Sequence, residues 1–382
     1  MAWLGYSGGV LTLLRRAELH DPEPRGLVDI LVGERVLAIG PDLAGSEHFT
    51  EVDLGGARVV PGLVDSHVHV TGGGGESGPA SRVPPLKVED LVGAGITTCI
   101  GLLGTDGTTR DVAGLVARTL GLRAEGMSAW CWTGSYEVPP ITLTGKVRSD
   151  IAFVDPILGV GELAISDHRS SQPTFDELVR IAADCHVGGL MTGKAGVLHL
   201  HLGDGKRGLE LVRRALDETE LPARVFHPTH VNRRKGLFEE ALEVARRGCV
   251  IDVTAFPVDD DGDEWSAEDA IERYLAAGLP PERLTCSSDG GGCLPTFDAE
   301  GRMTRMDTGR PGAITDALAA LVRRGHTLGT VLPVFTRNVG RHLRLPGKKG
   351  EIVVGGDADL VVLDDEHRPR RVMARGRFVV GR

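Results

Sequence analysis

Val60-Pro61-Gly62-Leu63-Val64-Asp65-Ser66-His67-Val68-His69 reads as an apolar strand that ends in two histidines. Side chains of a strand alternate faces, so His67 and His69 deliver two neutral imidazoles to one small volume. That is half of a metal site. Pro61-Gly62 stops the preceding structure and starts the strand, and the loop Gly72-Gly73-Gly74-Gly75-Glu76 clears space above its end. A lone His-x-His is commonly two ordinary polar residues, so the other ligands have to come from elsewhere in the chain.

Outward from this stretch, apolar strand-like runs alternate with helical text, the pattern of βαβ units on a parallel sheet. After 60–69 the strand candidates are 97–103, 129–136, 160–165, 197–201, 224–230, 250–256 and 284–289. Thr174-Phe175-Asp176-Glu177 is a capping box that opens a helix with Leu178, Ile181, Ala182 and Cys185 on one face. The segment 237–247 repeats the design, with Leu237, Ala241, Leu242 and Ala245 inward and Gly248 as its stop. Ser266 caps the next helix and Pro311 starts another. Eight strand and helix pairs predict an α/β fold, a (β/α)8 TIM-like barrel over 60–345, better than a doubly wound sheet. The flanks read differently. Short β runs broken by Gly, Pro and acidic turns fill 8–60 and 350–380, and they predict a small β-sandwich domain built from both chain ends, 1–59 and 346–382.

Composition agrees with a folded enzyme-sized chain: 382 residues, 25% charged and 41% hydrophobic, without a fixed-period repeat. A net charge of −10 repels nucleic acid and anionic membrane, which leaves a small molecule or peptide as the expected partner. The six cysteines form no CxxC pair, and the first five lie in apolar text, so they are expected to be reduced core residues in a cytoplasmic protein. The start of the sequence lacks the charged n-region of a signal peptide, and no run is long enough to span a membrane.

In a barrel of this kind the chemistry sits at the C-terminal strand ends. Strand one ends in His67 and His69 and strand eight in Asp289, while strand four carries Glu162 inside otherwise apolar text. Strand five offers His199 and His201, which share parity, and strand six offers His227 and His230. Four imidazoles and two carboxylates are a ligand set for two borderline divalent ions, with zinc favoured. Zinc-bound water loses a proton near pH ~7, so a bridging hydroxide beside a polarised carbonyl would hydrolyse an amide or related bond. A competing reading makes Glu162 a barrel carboxylate paired with an arginine. The glycine run lacks the Lys-Ser or Lys-Thr of a phosphate cradle. His168 reads as structural, and His20, His48, His186, His326, His342 and His367 receive no role.

The same text resembles the amidohydrolase superfamily and, within it, the isoaspartyl dipeptidases. The resemblance is carried by 61–69, by His69-Val70-Thr71-Gly72-Gly73-Gly74-Gly75-Glu76, Leu102-Leu103-Gly104-Thr105-Asp106 and Thr133-Gly134-Ser135-Tyr136, and by Ala164-Ile165-Ser166-Asp167-His168-Arg169-Ser170. Pro228-Thr229-His230-Val231-Asn232-Arg233, Ser287-Ser288-Asp289-Gly290 and the tail 350–364 complete it. It implies a zinc-dependent metallopeptidase that cleaves β-aspartyl dipeptides, with two zinc ions per subunit held by His67, His69, Glu162, His201, His230 and Asp289. Its H-x-G-D and Thr-His-Val-Asn-Arg contexts select His201 over His199 and His230 over His227. Glu76 is implied to pair with the substrate ammonium, Arg169 and Arg233 to fork onto carboxylates, and Thr105 and Gly74 to line the slot. Tyr136 would donate to the oxyanion, and Asp289 would shuttle the proton. Two positions depart from the pattern. Glu162 stands where the family has a bridging carboxylated lysine, and Cys293 stands where a serine is common beside the leaving group. The resemblance also implies a homo-oligomer. Alternatives that keep the barrel are a dihydroorotase-like cyclic amidase, an N-acyl amino acid amidohydrolase, and a non-catalytic assembly protein.

Overall fold

This computed structural model describes residues 11–258, 262–297 and 302–380; Val10 and the rest of the first ten residues of the expected β unit lie outside them. Five strands come first: β1 (Leu11–Asp21), β2 (Glu23–Val32), β3 (Val36–Gly40), β4 (Phe49–Asp53) and β5 (Arg58–Pro61). Eight follow as the strands of βα units: β6 (Leu63–Val68), β7 (Ile96–Gly101), β8 (Ser128–Thr133), β9 (Ile157–Ser166), β10 (Val197–Leu202), β11 (Phe226–Thr229), β12 (Ile251–Thr254) and β13 (Leu284–Ser287). A hairpin of β14 (Cys293–Phe297) and β15 (Met303–Thr308) extends the loop after β13. The chain ends in β16 (Leu360–Leu363), β17 (Pro369–Ala374) and β18 (Arg377–Val380).

The terminal strands of both chain ends pair in one eight-stranded sheet, ordered β18-β17-β16-β5-β1-β2-β3 with β4 also on β1. Pairing therefore joins strands of both chain ends in one hydrogen-bonded sheet. The long strand β1 makes this possible. Its register slips at Arg15-Arg16, where Arg16 takes a φ of 54°, so that its first half pairs with β4 and its second with β5 along the same edge.

β6 to β11 form a curled six-stranded parallel sheet in sequence order, and β12 pairs with β13. Every residue of these eight strands is buried. Burial on both faces explains why the text is continuously apolar rather than alternating. The helical faces expected from the sequence pack against the strands: Leu178, Ile181, Ala182 and Cys185 of Phe175–Thr192, and Leu237, Ala241, Leu242 and Ala245 of Lys235–Arg246, are all buried. Thr174 and Glu177 form the capping box, and Ser266 accepts from the Asp269 amide. Gly312 rather than Pro311 caps Ala313–Arg323. The five apolar-context cysteines are buried and unpaired. No helix among the described residues is long and apolar enough to cross a membrane.

The opening stretch crosses between the two sheets. Val60 and Pro61 pair with Val361 and Leu360, whereas Leu63 onward pairs with β7. Gly62 makes the transfer because a Cβ there would lie 2.1 Å from Thr97 Oγ1. His69 then sits just past β6, its amide donating to the Gly290 carbonyl at 2.8 Å, while Val68 bridges in parallel to Gly290 beyond β13.

Candidate active site

The strand ends converge. Between β9 and β10 the register slips so that Val160 and Leu163 face Leu198 and Leu200, a bulge that contains Gly161-Glu162. A bulge re-aims a side chain, and Glu162 is turned into the volume above β6. Gly161 permits it, since a Cβ there would come within 2.8 Å of His199 Cβ and 3.1 Å of Trp132 Cγ. Around the buried Glu162 carboxylate lie four imidazoles. His201 Nδ1 is 3.0 Å and His230 Nε2 3.4 Å from Oε2; His67 Nε2 is 3.5 Å from Oε2; His69 Nε2 is 3.4 Å from Oε1. Asp289 Oδ1 closes the ring at 3.5 Å from His67 Nε2 and 3.1 Å from His69 Nε2. Both His230 (φ 59°) and Asp289 (φ 51°) occupy the left-handed region, so backbone strain is concentrated at two of the six residues.

Which ring nitrogen faces inward is fixed by what holds the other. His67 Nδ1 lies 2.9 Å from His199 Nε2, His201 Nε2 lies 2.9 Å from Asp167 Oδ2, and His230 Nδ1 lies 2.7 Å from Thr254 Oγ1. The inward atoms are left short of partners: His67 Nε2 and Asp289 Oδ1 are buried without a hydrogen bond. Nitrogen lone pairs and carboxylate oxygens facing one another at these distances call for a cation between them. His67, Glu162 and His230 form one group able to hold a metal ion, and His67, His69 and Asp289 another. The donor set thus fits the expected ions. Burial opposes ionisation of Glu162 and Asp289, yet the surrounding histidines outweigh it and hold both carboxyls well below the usual range.

The remaining site residues surround a narrow slot. His69, Gly74, Glu76, Thr105, Tyr136, Glu162, His201, His230, Arg233, Asp289 and Cys293 all line it. Tyr136 is brought in by the turn at Gly134 (φ 100°), where β8 stops short of the expected 129–136, and its hydroxyl is 2.8 Å from His201 Nδ1. Burial and the nearby Glu162 carboxylate push the Tyr136 phenol well above its ordinary value, so it stays a donor. Thr105 Oγ1 donates to Glu76 Oε1 at 3.0 Å, while Glu76 Oε2 is buried with no hydrogen-bond partner. Arg169 is already engaged, donating to both Asp167 oxygens at 3.0 and 2.7 Å and reaching Glu76 Oε1 at 3.4 Å. Arg233 is half-buried, and its guanidinium has no hydrogen-bond or ion-pair partner among the described residues. The Cys293 thiol is pushed up to about 12 by burial and by Glu76, which makes it a neutral group in the slot.

The model of the amidohydrolase family matches residues 58–379. The chain belongs to the amidohydrolase family. It is 40% identical to the β-aspartyl dipeptidase of Fervidobacterium islandicum solved with a β-Asp-Leu dipeptide, with 97% of each chain covered and a TM-score of 0.91. A second structure of a β-aspartyl dipeptidase from that organism shares 38% identity over the same span, TM-score 0.88. The dihydropyrimidinase of Brevibacillus agri, 16% identical with a TM-score of 0.68 over 97% of this chain and 95% of its own, shares the fold. Among curated sequences, adenine deaminase 2 of Carboxydothermus hydrogenoformans is 25% identical over 90% of this chain, which spans 54% of that enzyme's length.

Several residues of the site carried no functional assignment in the sequence. Asp167, buried and in contact with His201 and Arg169, sits two positions before an arginine that was singled out, which was the available signal. Arg110 lines the slot and donates to the carbonyls of Thr71, Gly73, Gly74 and Val83. His342, assigned no role from the sequence, is half-buried with its ring 4.6 Å from that of His227. His168 lies beside Asp167 at 3.6 Å, with its side chain nearly half exposed.

Proposed function

We propose that this protein hydrolyses β-aspartyl dipeptides with two zinc ions per subunit. The observation that carries the reading is the pair of unsatisfied charged groups in one slot beside the histidine and carboxylate ring: Glu76 Oε2, buried and unpartnered, and the unpaired Arg233 guanidinium. A substrate that presents an ammonium and a carboxylate on either side of an amide satisfies both. The likeness to a β-aspartyl dipeptidase solved with β-Asp-Leu supports the same substrate.

His67, His69, Glu162, His201, His230 and Asp289 would hold the ions, with Glu162 as the bridge between them. When bound, they supply an activated water and polarise the scissile carbonyl. Glu76 seats the free α-ammonium, with Thr105 holding its other oxygen. Arg233 orients a substrate carboxylate, with Arg169 beside it. Tyr136 donates its hydroxyl hydrogen to the carbonyl oxygen as negative charge develops there. Asp289 takes the proton of the attacking water and hands it to the departing amine nitrogen. On this reading β6 to β13 close into a (β/α)8 barrel over 60–345, with 1–59 and 346–382 as the accessory β domain. By resemblance we also take the protein to be a cytoplasmic homo-oligomer.

The test is hydrolysis of β-Asp-Leu by zinc-loaded protein with α-Asp-Leu as control. Cleavage of the β isomer alone is expected. If neither is cleaved while two zinc ions are bound, the dipeptidase reading falls and the site serves another amide, such as a cyclic or N-acyl one, for which Glu76→Gln would be nearly silent.

A further inference from the structure

One buried carboxylate outside the proposed ligand set touches both ends of the site. Asp167 follows β9 directly, and its side chain is completely buried. Oδ2 lies 2.9 Å from His201 Nε2 and accepts from Arg169 Nη2 at 2.7 Å, while Oδ1 accepts from Arg169 Nε at 3.0 Å and from the Arg169 amide at 2.8 Å. Room for it is built from another element. Gly203, just past β10, would carry a Cβ 2.1 Å from Asp167 Oδ2, so a side chain at 203 displaces the carboxylate. Beyond Asp167 the contacts continue both ways. Arg169 Nη1 reaches Glu76 Oε1 at 3.4 Å, and His201 Nδ1 faces Glu162 Oε2 at 3.0 Å.

We propose that Asp167 is a positioning residue that couples the ammonium-binding end of the slot to the metal end. As an acceptor it requires a hydrogen on His201 Nε2, which leaves the Nδ1 lone pair directed at Glu162, where an ion would sit. With its remaining lone pairs it pins the Arg169 fork and thereby the setting of Glu76. Asparagine cannot do both. If its oxygen faces His201, its amide hydrogens face the Arg169 donors; if its oxygen faces Arg169, its hydrogens turn His201 Nε2 into an acceptor and put a hydrogen on Nδ1. The proposal rests on the reading of His201 as a metal ligand.

The test reads metal binding before activity. Zinc stoichiometry and affinity are measured for wild type, Asp167→Asn and Asp167→Glu after dialysis against a zinc buffer, with the melting curve of each metal-free protein as the folding control. Asp167→Asn is expected to melt as wild type when metal-free, to bind one of the two zinc ions about 10–100-fold more weakly, and to raise KM for β-Asp-Leu. Asp167→Glu is expected to recover part of both losses. Should Asp167→Asn fail to fold, Gly203→Ala moves the carboxylate without removing it and is expected to show the same zinc loss. Wild-type zinc affinity in Asp167→Asn, or in Gly203→Ala, overturns the proposal. Failure of the wild type to cleave β-Asp-Leu with two zinc ions bound overturns the dipeptidase reading alone, because the zinc measurements need no substrate.

Discussion

Glu162 sets the chemistry at the residue scale because all four inward imidazoles face its two oxygens at 3.0 to 3.5 Å. A glutamate arm is shorter than that of a carboxylated lysine, and the bulge at Gly161-Glu162 accompanies the shorter reach. No carbon dioxide adduct is needed to make this carboxylate. Metal-free protein loaded with zinc in bicarbonate-free buffer is therefore expected to reach the same stoichiometry as with bicarbonate added; metal analysis showing a bicarbonate requirement would count against Glu162 as the bridge. On the proposed reading Tyr136 is the complementary neutral donor, kept protonated by burial beside Glu162. Tyr136→Phe is expected to lower kcat on β-Asp-Leu by about 10²–10³-fold with little change in KM, the pattern of an interaction made in the transition state. A matching rise in KM with kcat unchanged would reassign Tyr136 to ground-state binding.

At the scale of elements, the backbone of the loop from Thr71 to Glu76 is bound by the Arg110 guanidinium. Arg110 donates to four of its and its neighbours' carbonyls and pairs with Asp106 at 2.9 Å, while Gly72 (φ 75°) and Gly74 (φ 74°) lie so close to the Val83 and Ser81 carbonyls that a Cβ would collide. Gly74 thus reaches the slot through its backbone role. Arg110→Ala removes the guanidinium donor from the Thr71, Gly74 and Val83 carbonyls, while the Gly73 carbonyl still accepts from the Val83 amide at 2.9 Å; the loss is expected to cost about 1–3 kcal/mol in denaturant unfolding and to raise KM more than it lowers kcat. An unchanged KM would mean that the loop keeps Glu76 in place unaided. The strands themselves were legible because burial on both faces makes their text continuously apolar, so polar residues such as His67, Glu162 and Asp289 stand out at or near the ends. Arg110 and Asp167 were not, because their partners are backbone carbonyls and side chains brought near only by folding. The stop at Pro61-Gly62 was legible, but the need for glycine at 62 was not, since it answers to Thr97 on a neighbouring strand. Parity alone left His199 and His201 equivalent; the bulge in β9 and the stacking of His199 on Trp132 at 5.2 Å are what separate them.

Across the whole molecule, the site stands on a buried column of histidines. His67 meets His199, His199 Nδ1 lies 3.0 Å from His227 Nδ1, His227 Nε2 lies 3.1 Å from Thr285 Oγ1, and the ring of His342 packs edge-on against His227. Burial holds His199 and His227 well below the ordinary histidine value, with neighbouring imidazoles adding to it, and burial with Arg224 and Arg344 lowers His342 to about 3. These rings are neutral in the fold and protonate near 6.5 once unfolded. Their contribution to stability is therefore present above pH 6.5 and is lost as the pH falls below it, for His342 toward about 3. Each such histidine adds a slope of ~1.4 kcal/mol per pH unit to the unfolding free energy within that window. Metal-free protein is expected to lose stability on acidification from pH 6.5, and His342→Phe, which removes one of these protons without removing the ring, to lose it less steeply by about one histidine's share. Urea unfolding of both proteins across this range measures the two slopes. Parallel curves would mean that His342 takes up its proton in the folded state, and that the lower end of the column is open to water rather than packed against the core.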